Sequence, residues 1–388
     1  MSDPLAFQEG NAITLLETGQ EYFPALEEAI ATAQVSIHLE TYIFENDRVG
    51  RRIAQALMTA AGRGIPVRVL VDGFGSRAFV TNLLPLLQTA GVRVLIYRRE
   101  LSTFSLRRHR LRRLHRKLAV IDGKLAFVGG INIIDDFDAA TPDHPRHDYA
   151  VRIHGPLVEP LQTNVQRLWR LVSWASLQRR PPPLPPPTGP FPAVGPIRAA
   201  LVVRDNLRHR RDIEEAYLEA IHKARREIVI ANAYFLPGLR FRQALVEAAQ
   251  RGVRVILLLQ GRSDHPLQHY ASRALYPHFL ANGIELFEYR RSFLHAKVAV
   301  IDLYWATVGS SNIDPFSLLL AREANVVIQD GEFSRSLRQR LELAINEGAR
   351  RLSPARWKRQ PLHRRMTSWL AYQLVRLAIG LAGYGGRH

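Results

Sequence analysis

Short apolar runs alternate with longer amphipathic segments along the first hundred residues. The apolar runs predict strands, because a continuous apolar stretch of this length is typical of a buried strand. The segments between them carry apolar residues at helical spacing. The predicted strands cover 36–44, 66–72 and 92–97, and the predicted helices cover 21–33, 50–62 and 78–90. Strands that alternate with helices favour α/β layers around a mostly parallel sheet.

The second half of the chain repeats this order. A predicted helix over 214–225 is followed by predicted strands over 227–235 and 254–259. Short stretches return almost unchanged, since 60–65 (AAGRGI) is echoed by 248–253 (AAQRGV). The repeat predicts two similar lobes, which can meet across a pseudo-twofold axis.

The predicted organisation has four parts. Residues 1–178 form the first lobe, 179–197 a Pro-rich linker, 198–352 the second lobe and 353–388 a basic and apolar tail. The proline run at 181–187 favours extended polyproline geometry, which suits a semi-rigid tether. The alternative is a ligand for a proline-binding module.

One chemical motif occurs in both halves with the same spacing. His115-x-Lys117 is followed by Asp122 and by a turn that ends in Asn132. The second copy consists of His295, Lys297, Asp302 and a turn containing Ser310 and Asn312. Alternate side chains of a strand share a face, so each His and its Lys point the same way.

Imidazole and ammonium groups side by side suit phosphoryl transfer. Imidazole acts as a nucleophile or as a general acid and base near neutral pH. Lysine and asparagine side chains donate hydrogen bonds to phosphate oxygens. One copy alone matches a strand that carries a stray His and Lys, but two copies with identical spacing make chance a poor explanation. Two histidines can work on opposite sides of one phosphorus atom.

Composition narrows the class of partner. The chain has 388 residues, a net charge of +18 and no cysteine, so a disulfide framework is excluded. The positive charge favours nucleic acid or an acidic membrane. We expect no signal peptide at the N-terminus and no spanning helix, because no uninterrupted apolar run reaches the required length.

The paired motifs resemble those of the phospholipase D superfamily. The segments 9–11 (EGN), 39–44 (LETYIF), 114–117 (LHRK) and 147–152 (HDYAVR) are similar to the shorter bacterial cardiolipin synthases. The resemblance covers about residues 7–350. It implies an α/β fold with two tandem phospholipase D-like α/β/α lobes related by pseudo-twofold symmetry, each with a mostly parallel central sheet.

The resemblance also implies roles for the motif residues. His115 is expected to attack phosphorus and form a phosphohistidine, and His295 to act as the acid and base. The non-bridging oxygens are expected to be bound by Lys117, Lys297, Asn132 and Asn312, with help from Ser310. The first copy departs from the family pattern because it has Gly130 where Ser is usual.

Acidic residues are the remaining candidates for the site. A catalytic histidine needs a partner that fixes its tautomer, and Asp148 and Glu323 are candidates for this role. Asp122 and Asp302 belong to the catalytic motifs, but we expect them to brace the motif loops through salt bridges. The residue Glu40, whose counterpart we take to be Asn232, serves the site or pairs with a local Arg, and we favour the site. No cluster has metal-ligand spacing, so we predict no metal and no cofactor.

The expected reaction is phosphatidyl transfer. One phosphatidylglycerol gives its phosphatidyl group to another, which makes cardiolipin and releases glycerol. We expect an anionic phospholipid membrane as the partner, no nucleic acid, and a peripheral location on the bacterial inner membrane. The basic run at 107–113 and the tail from residue 356 support this reading. The tail is either an interfacial helix or a helix packed on the second lobe.

Two other functions stay open on the sequence. The first is a phosphodiesterase or nuclease of the same superfamily, which the positive charge also suits. The apolar and aromatic tail favours lipid, because a nuclease groove needs basic and stacking residues. The second is a membrane-binding protein with a degenerate site, which the intact motif pairs argue against.

Overall fold

The computed structural model describes residues 5–98, 112–137, 143–176, 191–205, 208–262, 265–359 and 361–379. Strands and helices alternate through these segments. The strands are β1 (Gln8–Glu17), β2 (Ile37–Thr41), β3 (Val67–Asp72), β4 (Arg93–Tyr97), β5 (Lys117–Ile121), β6 (Leu125–Gly129), β7 (Tyr149–His154), β8 (Ile197–Arg204), β9 (Glu227–Asn232), β10 (Arg254–Gln260), β11 (Glu285–Tyr289), β12 (Lys297–Ile301), β13 (Trp305–Gly309), β14 (Glu323–Gln329) and β15 (Ala349–Arg351). The helices are α1 (Thr18–Thr32), α2 (Arg48–Gly62), α3 (Arg77–Asn82), α4 (Leu84–Thr89), α5 (Val158–Ala175), α6 (Asp212–Lys223), α7 (Leu239–Gln250), α8 (Pro266–Arg273), α9 (Tyr276–Ala281), α10 (Pro315–Leu319), α11 (Gly331–Gly348), α12 (Pro354–Lys358) and α13 (Leu362–Ile379).

The strands join in one sheet whose order reads the same from both lobes. The order is β15-β11-β10-β9-β12-β13-β14-β8-β1-β7-β6-β5-β2-β3-β4. Strands β8 and β1 are adjacent, and the strands on either side of them match in pairs, except that β15 has no counterpart beside β4 among the described residues. The two tandem lobes and their pseudo-twofold relationship are therefore confirmed.

The sheet is mixed, so the expectation of a mostly parallel sheet is wrong. Among the strands described, parallel neighbours occur in β2-β3-β4 and in β9-β10-β11. The motif strands β5 and β12 run antiparallel to β2 and β9. Strands β6, β7, β13 and β14 continue the antiparallel pairing. Antiparallel neighbours need only short turns, and the sequence pattern did not separate these strands from loops.

The lobes share one apolar core as well as one sheet. This core contains Leu118 and Val151 of the first lobe and Val298 and Val326 of the second. Helices α5 and α11 pack against it. Two outer cores lie beneath α1–α4 in the first lobe and beneath α6–α9 in the second. Because both motif strands pack into the shared core, their first residues are held at the boundary between the lobes.

The Arg-Gly pair that recurs in the two halves of the sequence has the same structural role in both lobes. Gly64 and Gly252 have φ angles of +84° and +87°, a region that favours glycine. Arg63 donates to the carbonyl of Ile30 at the end of α1 (3.1 Å). Arg251 donates in the same way at the end of α6. The sequence echo therefore marks equivalent helix ends.

Element boundaries differ from the prediction where proline or a tight turn intervenes. The helix predicted over 78–90 is two helices, because Pro85 begins a new one in its first turn. Strand β1 was not predicted, although it pairs with β7 and β8. The predicted domain boundaries stay a prediction, and the proline run at 181–187 lies outside the described residues.

The C-terminal helix α13 packs on the second lobe. Ala371, Val375 and Ile379 join the outer core of that lobe, and Trp357 stacks near Tyr276 at 5.2 Å. The exposed side of α13 carries large apolar side chains together with arginines. Within the described part of the chain, no helix combines the length and apolarity needed to cross a bilayer.

Candidate active site

Each motif strand begins beside a segment of the other lobe. Leu114 forms a parallel bridge with Arg322, and Leu294 forms the matching bridge with His147. The amide of His115 donates to the Arg322 carbonyl at 3.0 Å. The two bridges obey the same pseudo-twofold symmetry as the sheet. They place the start of each motif against the segment that carries the acidic residue of the opposite lobe.

The two histidines exchange acidic partners between the lobes. Nδ1 of His115, in the first lobe, lies 2.9 Å from Oε1 of Glu323 in the second. Nδ1 of His295, in the second lobe, lies 2.6 Å from Oδ2 of Asp148 in the first. All four residues were predicted to belong to the site, but the exchange was not predicted. Neither lobe by itself contains a motif histidine together with its acidic partner.

These contacts define the chemistry of the rings. A carboxylate accepts, so Nδ1 of each ring donates its proton and the lone pair is left on Nε2. Burial lowers the pKa of His115, although the Glu323 charge opposes this. Burial also lowers the pKa of His295 well below its usual value, helped by the charge of Lys297. Both imidazoles are therefore neutral near pH 7, with Nε2 free to bond to phosphorus or to a proton.

The motif lysines are buried and turned towards the histidines. Nζ of Lys117 donates to the carbonyl of His115 at 2.5 Å, and Nζ of Lys297 donates to the carbonyl of His295. The Lys117 ammonium also lies 5.5 Å from the ring centre of Tyr42. Burial lowers the pKa of Lys117 to about 7. An arriving phosphate would restore the charged form, because an anion stabilises an ammonium group.

Charges of the two lobes act on each other within this cluster. The charge of Lys297 lowers the pKa of both His115 and Lys117. The charge of His115 lowers the pKa of His295. Glu323 and Asp148 act on Lys117 in the opposite direction. The two motifs therefore form one electrostatic unit rather than two separate sites.

The asparagines that end the motif turns are also buried. Oδ1 of Asn132 accepts a hydrogen bond from the amide of Ile43 at 3.1 Å. This contact fixes the orientation of the Asn132 amide group. Asn312 is 3% exposed, and its Oδ1 has no partner among the described residues. Both side chains lie in the turns that follow the strands beside the motif strands.

Ser310 and Gly130 differ because the acidic residues beside them differ in length. The hydroxyl of Ser310 donates to Oε2 of Glu323 at 2.6 Å, so its one proton is already engaged. The expected contact of Ser310 with phosphate stays a prediction. A Cβ on Gly130 would lie 2.7 Å from Cγ of Asp148. Glycine at this position makes room for the shorter carboxylate.

The motif aspartates brace the far ends of the motif strands. The carboxylate of Asp122 accepts from the amides of Gln34, Val35 and Ser36 at 2.7–2.9 Å. Asp302 accepts from three successive amides in the second lobe. The bracing was predicted, but through salt bridges; the partners are backbone amides instead. Asp122 and Asp302 follow β5 and β12, whereas the histidines precede them, so these aspartates do not belong with the reacting groups.

Glu40 lies on the other face of the sheet from Lys117. It pairs with Leu118, and its carboxylate binds Arg116 and His38, with His38 at 3.0 Å. Leu118 and Lys117 are consecutive on β5, so their side chains point to opposite faces. The favoured prediction that Glu40 serves the site is wrong, and the alternative of a local Arg partner is what the structure has.

The counterpart of Glu40 is also corrected. Glu40 pairs with Leu118, and the equivalent Val298 pairs with Ala231. The counterpart is therefore Ala231 and not Asn232. Asn232 has its own role, because its Oδ1 accepts from the amide of Ile313 at 3.2 Å.

Two residues near the motifs were missed by the sequence reasoning. Asp72 ends β3 and accepts from the amide of Leu114 at 2.9 Å. Gln260 ends β10 and accepts from the amide of Leu294 at 3.1 Å. Both stand at the end of a predicted strand in matching places of the repeat. That correspondence is the signal that would have found them.

The cluster defines a class of protein. Two pseudosymmetric lobes, paired histidines with carboxylate partners and buried lysines form the architecture of the phospholipase D superfamily. No group of three or more His, Cys, Asp or Glu in the described segments is arranged to hold a metal ion.

The particular family follows from the comparison with known proteins. The family described as "Cardiolipin synthase, PLD-like domain" matches residues 26–169 and 217–344. This chain belongs to that family. It is 40% identical to cardiolipin synthase B of Escherichia coli strain K12, over 99% of this chain and 92% of that protein. It is 32% identical to a probable cardiolipin synthase of Bacillus subtilis, over 88% of this chain and 67% of that protein.

A solved structure shares the fold. The chain is similar to phosphatidylserine synthase from Haemophilus influenzae with a TM-score of 0.73. The match covers 98% of this chain and 97% of that one, at 13% sequence identity. At this identity the likeness concerns the fold alone.

Proposed function

We propose that the protein is a phosphatidyltransferase that makes cardiolipin from two molecules of phosphatidylglycerol. One observation carries the proposal: each of the two motif histidines donates Nδ1–H to a carboxylate of the other lobe. This arrangement leaves two Nε2 atoms in one electrostatic unit. The names of the relatives, which are cardiolipin synthases, support the choice of lipid substrate.

The reaction takes two steps at one phosphorus atom. In the first, Nε2 of His115 bonds to phosphorus while the bond to the glycerol oxygen breaks. Both rings are neutral in the free site, but the bound phosphodiester anion favours the charged imidazolium form of His295. In that form His295 gives its proton to the glycerol oxygen, and glycerol leaves. In the second, the hydroxyl of the acceptor lipid bonds to phosphorus and gives its proton to His295. The bond from phosphorus to His115 then breaks, which restores both rings.

The buried donors stabilise the charge on phosphorus. Lys117 and Lys297 are buried, and their charges act on the histidine rings, while Asn132 and Asn312 supply neutral amide donors. Donors held in a dry site stabilise a developing charge without reorganising. Glu323 and Asp148 hold the rings and stabilise the imidazolium that forms.

Labelled substrates test the proposal directly. Purified protein is incubated with vesicles of labelled phosphatidylglycerol and, separately, with labelled single-stranded DNA. We expect cardiolipin and an equal amount of free glycerol from the vesicles, and no change in the DNA. DNA cleavage without lipid turnover would overturn the proposal in favour of a nuclease.

We further propose that α13 binds the membrane surface, which gives a peripheral location on the bacterial inner membrane. Six large apolar side chains of this helix have exposed fractions of 51–72%. They are Leu362, Met366, Trp369, Leu370, Leu374 and Leu377. Exposed Arg365 and Arg376 on the same helix suit acidic headgroups. The buried face holds the helix on the second lobe, so the apolar face is presented as a rigid surface.

Vesicle sedimentation tests this surface. The double variant Leu370→Ser and Leu374→Ser should lose most binding to vesicles of phosphatidylglycerol. A matched control is Leu343→Ser, because Leu343 is 58% exposed but lies on α11. Equal binding by both variants would show that α13 is not the membrane surface.

A further inference from the structure

The side chain of Arg146 lies on the same side of its segment as that of Asp148, which is the acidic partner of His295. The bridge between His147 and Leu294 keeps this segment extended. Side chains two positions apart on an extended segment share a side, so Arg146 and Asp148 point the same way. Asp148 contacts Nδ1 of His295, and the amide of His295 donates to the carbonyl of His147 at 2.8 Å. Arg146 is therefore placed at the His295 side of the site.

One nitrogen of the Arg146 guanidinium has no hydrogen bond within the described part of the fold. Its Nε is buried and has no hydrogen-bond partner among the described residues. It lies 5.6 Å from the ring centre of Phe293, which precedes the second motif. Asp136, whose carbonyl accepts the Arg146 amide, turns its own carboxylate to the amide of Gly19. The charge of Arg146 lowers the pKa of the buried Asp136 carboxyl, which burial raises. The Nε donor of Arg146 is nevertheless left open at the rim of the site.

The charge of Arg146 reaches His295. It is among the causes that lower the pKa of that ring, after burial and the charge of Lys297. Arg146 lies outside the motif set of Lys117, Lys297 and the two asparagines. The phosphate between the histidines therefore has its own donors, and Arg146 is left for a different anion.

The proposed reaction supplies such an anion on this side. His295 is the residue that protonates the departing glycerol and deprotonates the incoming alcohol. The departing glycerol is neutral, and water or a simple alcohol is neutral too. A phosphatidylglycerol acceptor differs from them because it carries its own phosphodiester, one glycerol unit away from the reacting hydroxyl. The site must hold this second negative charge while the first phosphate is bound.

We propose that Arg146 binds the phosphodiester of the acceptor lipid and so selects an acceptor alcohol that carries an anion. This inference rests on the proposed phosphatidyl transfer. The guanidinium of Arg146 is a two-pronged donor that matches phosphate oxygens. Stacking on Phe293 holds its plane beside the path of the incoming alcohol. Arg146 is a specificity residue, and it takes no part in bond making at the first phosphorus.

Competition between two acceptors tests the role of Arg146. Wild type and Arg146→Gln are incubated with phosphatidylglycerol vesicles in the presence of ethanol. Cardiolipin reports transfer to the anionic acceptor, and phosphatidylethanol reports transfer to the neutral one. We expect the ratio of cardiolipin to phosphatidylethanol to fall about tenfold or more in Arg146→Gln. Arg146→Lys keeps a charge without the two-pronged geometry, so its ratio should lie between the two.

The control is Arg170→Gln, because Arg170 is exposed on α5, and it should keep the wild-type ratio. An unchanged ratio in Arg146→Gln, or an equal loss of both products in the glutamine and lysine variants, would overturn the assignment of Arg146. Absence of both lipid products from the wild type would instead overturn the proposed phosphatidyl transfer. The two failures are therefore distinguishable.

Discussion

His115 and Glu323 are 208 positions apart and belong to different lobes, yet their side chains meet at 2.9 Å. The pair is matched by His295 and Asp148, which meet at 2.6 Å. Each lobe contributes an imidazole to one pair and a carboxylate to the other. The site therefore exists only where the lobes are joined, and both pairs depend on the same interface.

Removing one carboxylate should disable a histidine of the opposite lobe. In Glu323→Gln the amide no longer provides the charge that supports His115, so we expect kcat to fall about a hundredfold or more. The matched control is Glu342→Gln, since Glu342 is 59% exposed on α11 and pairs only with Arg338 among the described residues. Steady-state kinetics with phosphatidylglycerol vesicles measure the effect. Similar rates for the two variants would refute the role of Glu323.

The loss of kcat/KM at low pH should reflect the protonation of Asp148. Burial raises the pKa of Asp148 to about 6. The carboxylate must be ionised to accept Nδ1–H of His295, so kcat/KM should fall as the pH drops through about 6. Asp148→Asn should remove this limb together with most of the activity. A flat profile between pH 5 and pH 7 would contradict the assignment.

The loss of kcat/KM at high pH should reflect the deprotonation of Lys117. Burial lowers the pKa of Lys117 to about 7, so its charge is lost as the pH rises through that value in the free enzyme. Phosphate binding needs the charged form, and kcat/KM should therefore decline above about pH 7. Lys117→Arg should move the decline to higher pH, because arginine stays charged throughout this range. An alkaline limb at the same pH in this variant would show that another group titrates.

The glycine of the first turn should resist substitution. A side chain on Gly130 would displace the carboxylate of Asp148, so Gly130→Ala should lower kcat by about tenfold or more. Gly62→Ala is the control, because a Cβ at Gly62 meets nothing within 4 Å at the end of α2. That control should keep full activity and gain about 0.5–1 kcal/mol of stability. Turnover assays and denaturant unfolding would measure both.

The motif aspartates should matter for stability and not for chemistry. Asp122→Ala leaves the amides of Gln34, Val35 and Ser36 without their acceptor, which should cost about 1–3 kcal/mol. The folded fraction should retain turnover. Denaturant unfolding gives the stability, and a rate corrected for folded protein gives the activity. A thousandfold loss of corrected rate would return Asp122 to the reacting groups.

The duplication was predictable because short sequence segments of the first lobe recur in the second. The helix end that contains Arg63 and Gly64 returns with Arg251 and Gly252, and each end is fixed by neighbouring residues. The pairing of the strands was harder to predict from the sequence. The motif strands β5 and β12 were predicted, but β1 and the strands that follow β5 and β12 were not, so most of the antiparallel part of each lobe was missed.

The exchange of partners could not be read from spacing alone. Asp148 and Glu323 stand after the motif of their own lobe, and the contact with the other lobe depends on the bridges at Leu114 and Leu294. The face of Glu40 depends on strand register, which places it beside Leu118 and away from Lys117. A shift of one residue in strand register moves a side chain to the opposite face of the sheet. The sequence therefore did not show that Glu40 is the buried partner of Arg116 and not a site residue.

The central claim is that two histidines from different lobes divide one reaction at one phosphorus. A phosphatidyl donor with a nitrophenolate leaving group tests it, because this group departs without a proton. In His295→Ala we expect a rapid burst of one nitrophenolate for each protein molecule and a phosphatidyl adduct on His115, detected by mass spectrometry. His115→Ala should give no burst and no adduct. A burst in His115→Ala, or none in His295→Ala, would contradict the division of labour between the two rings.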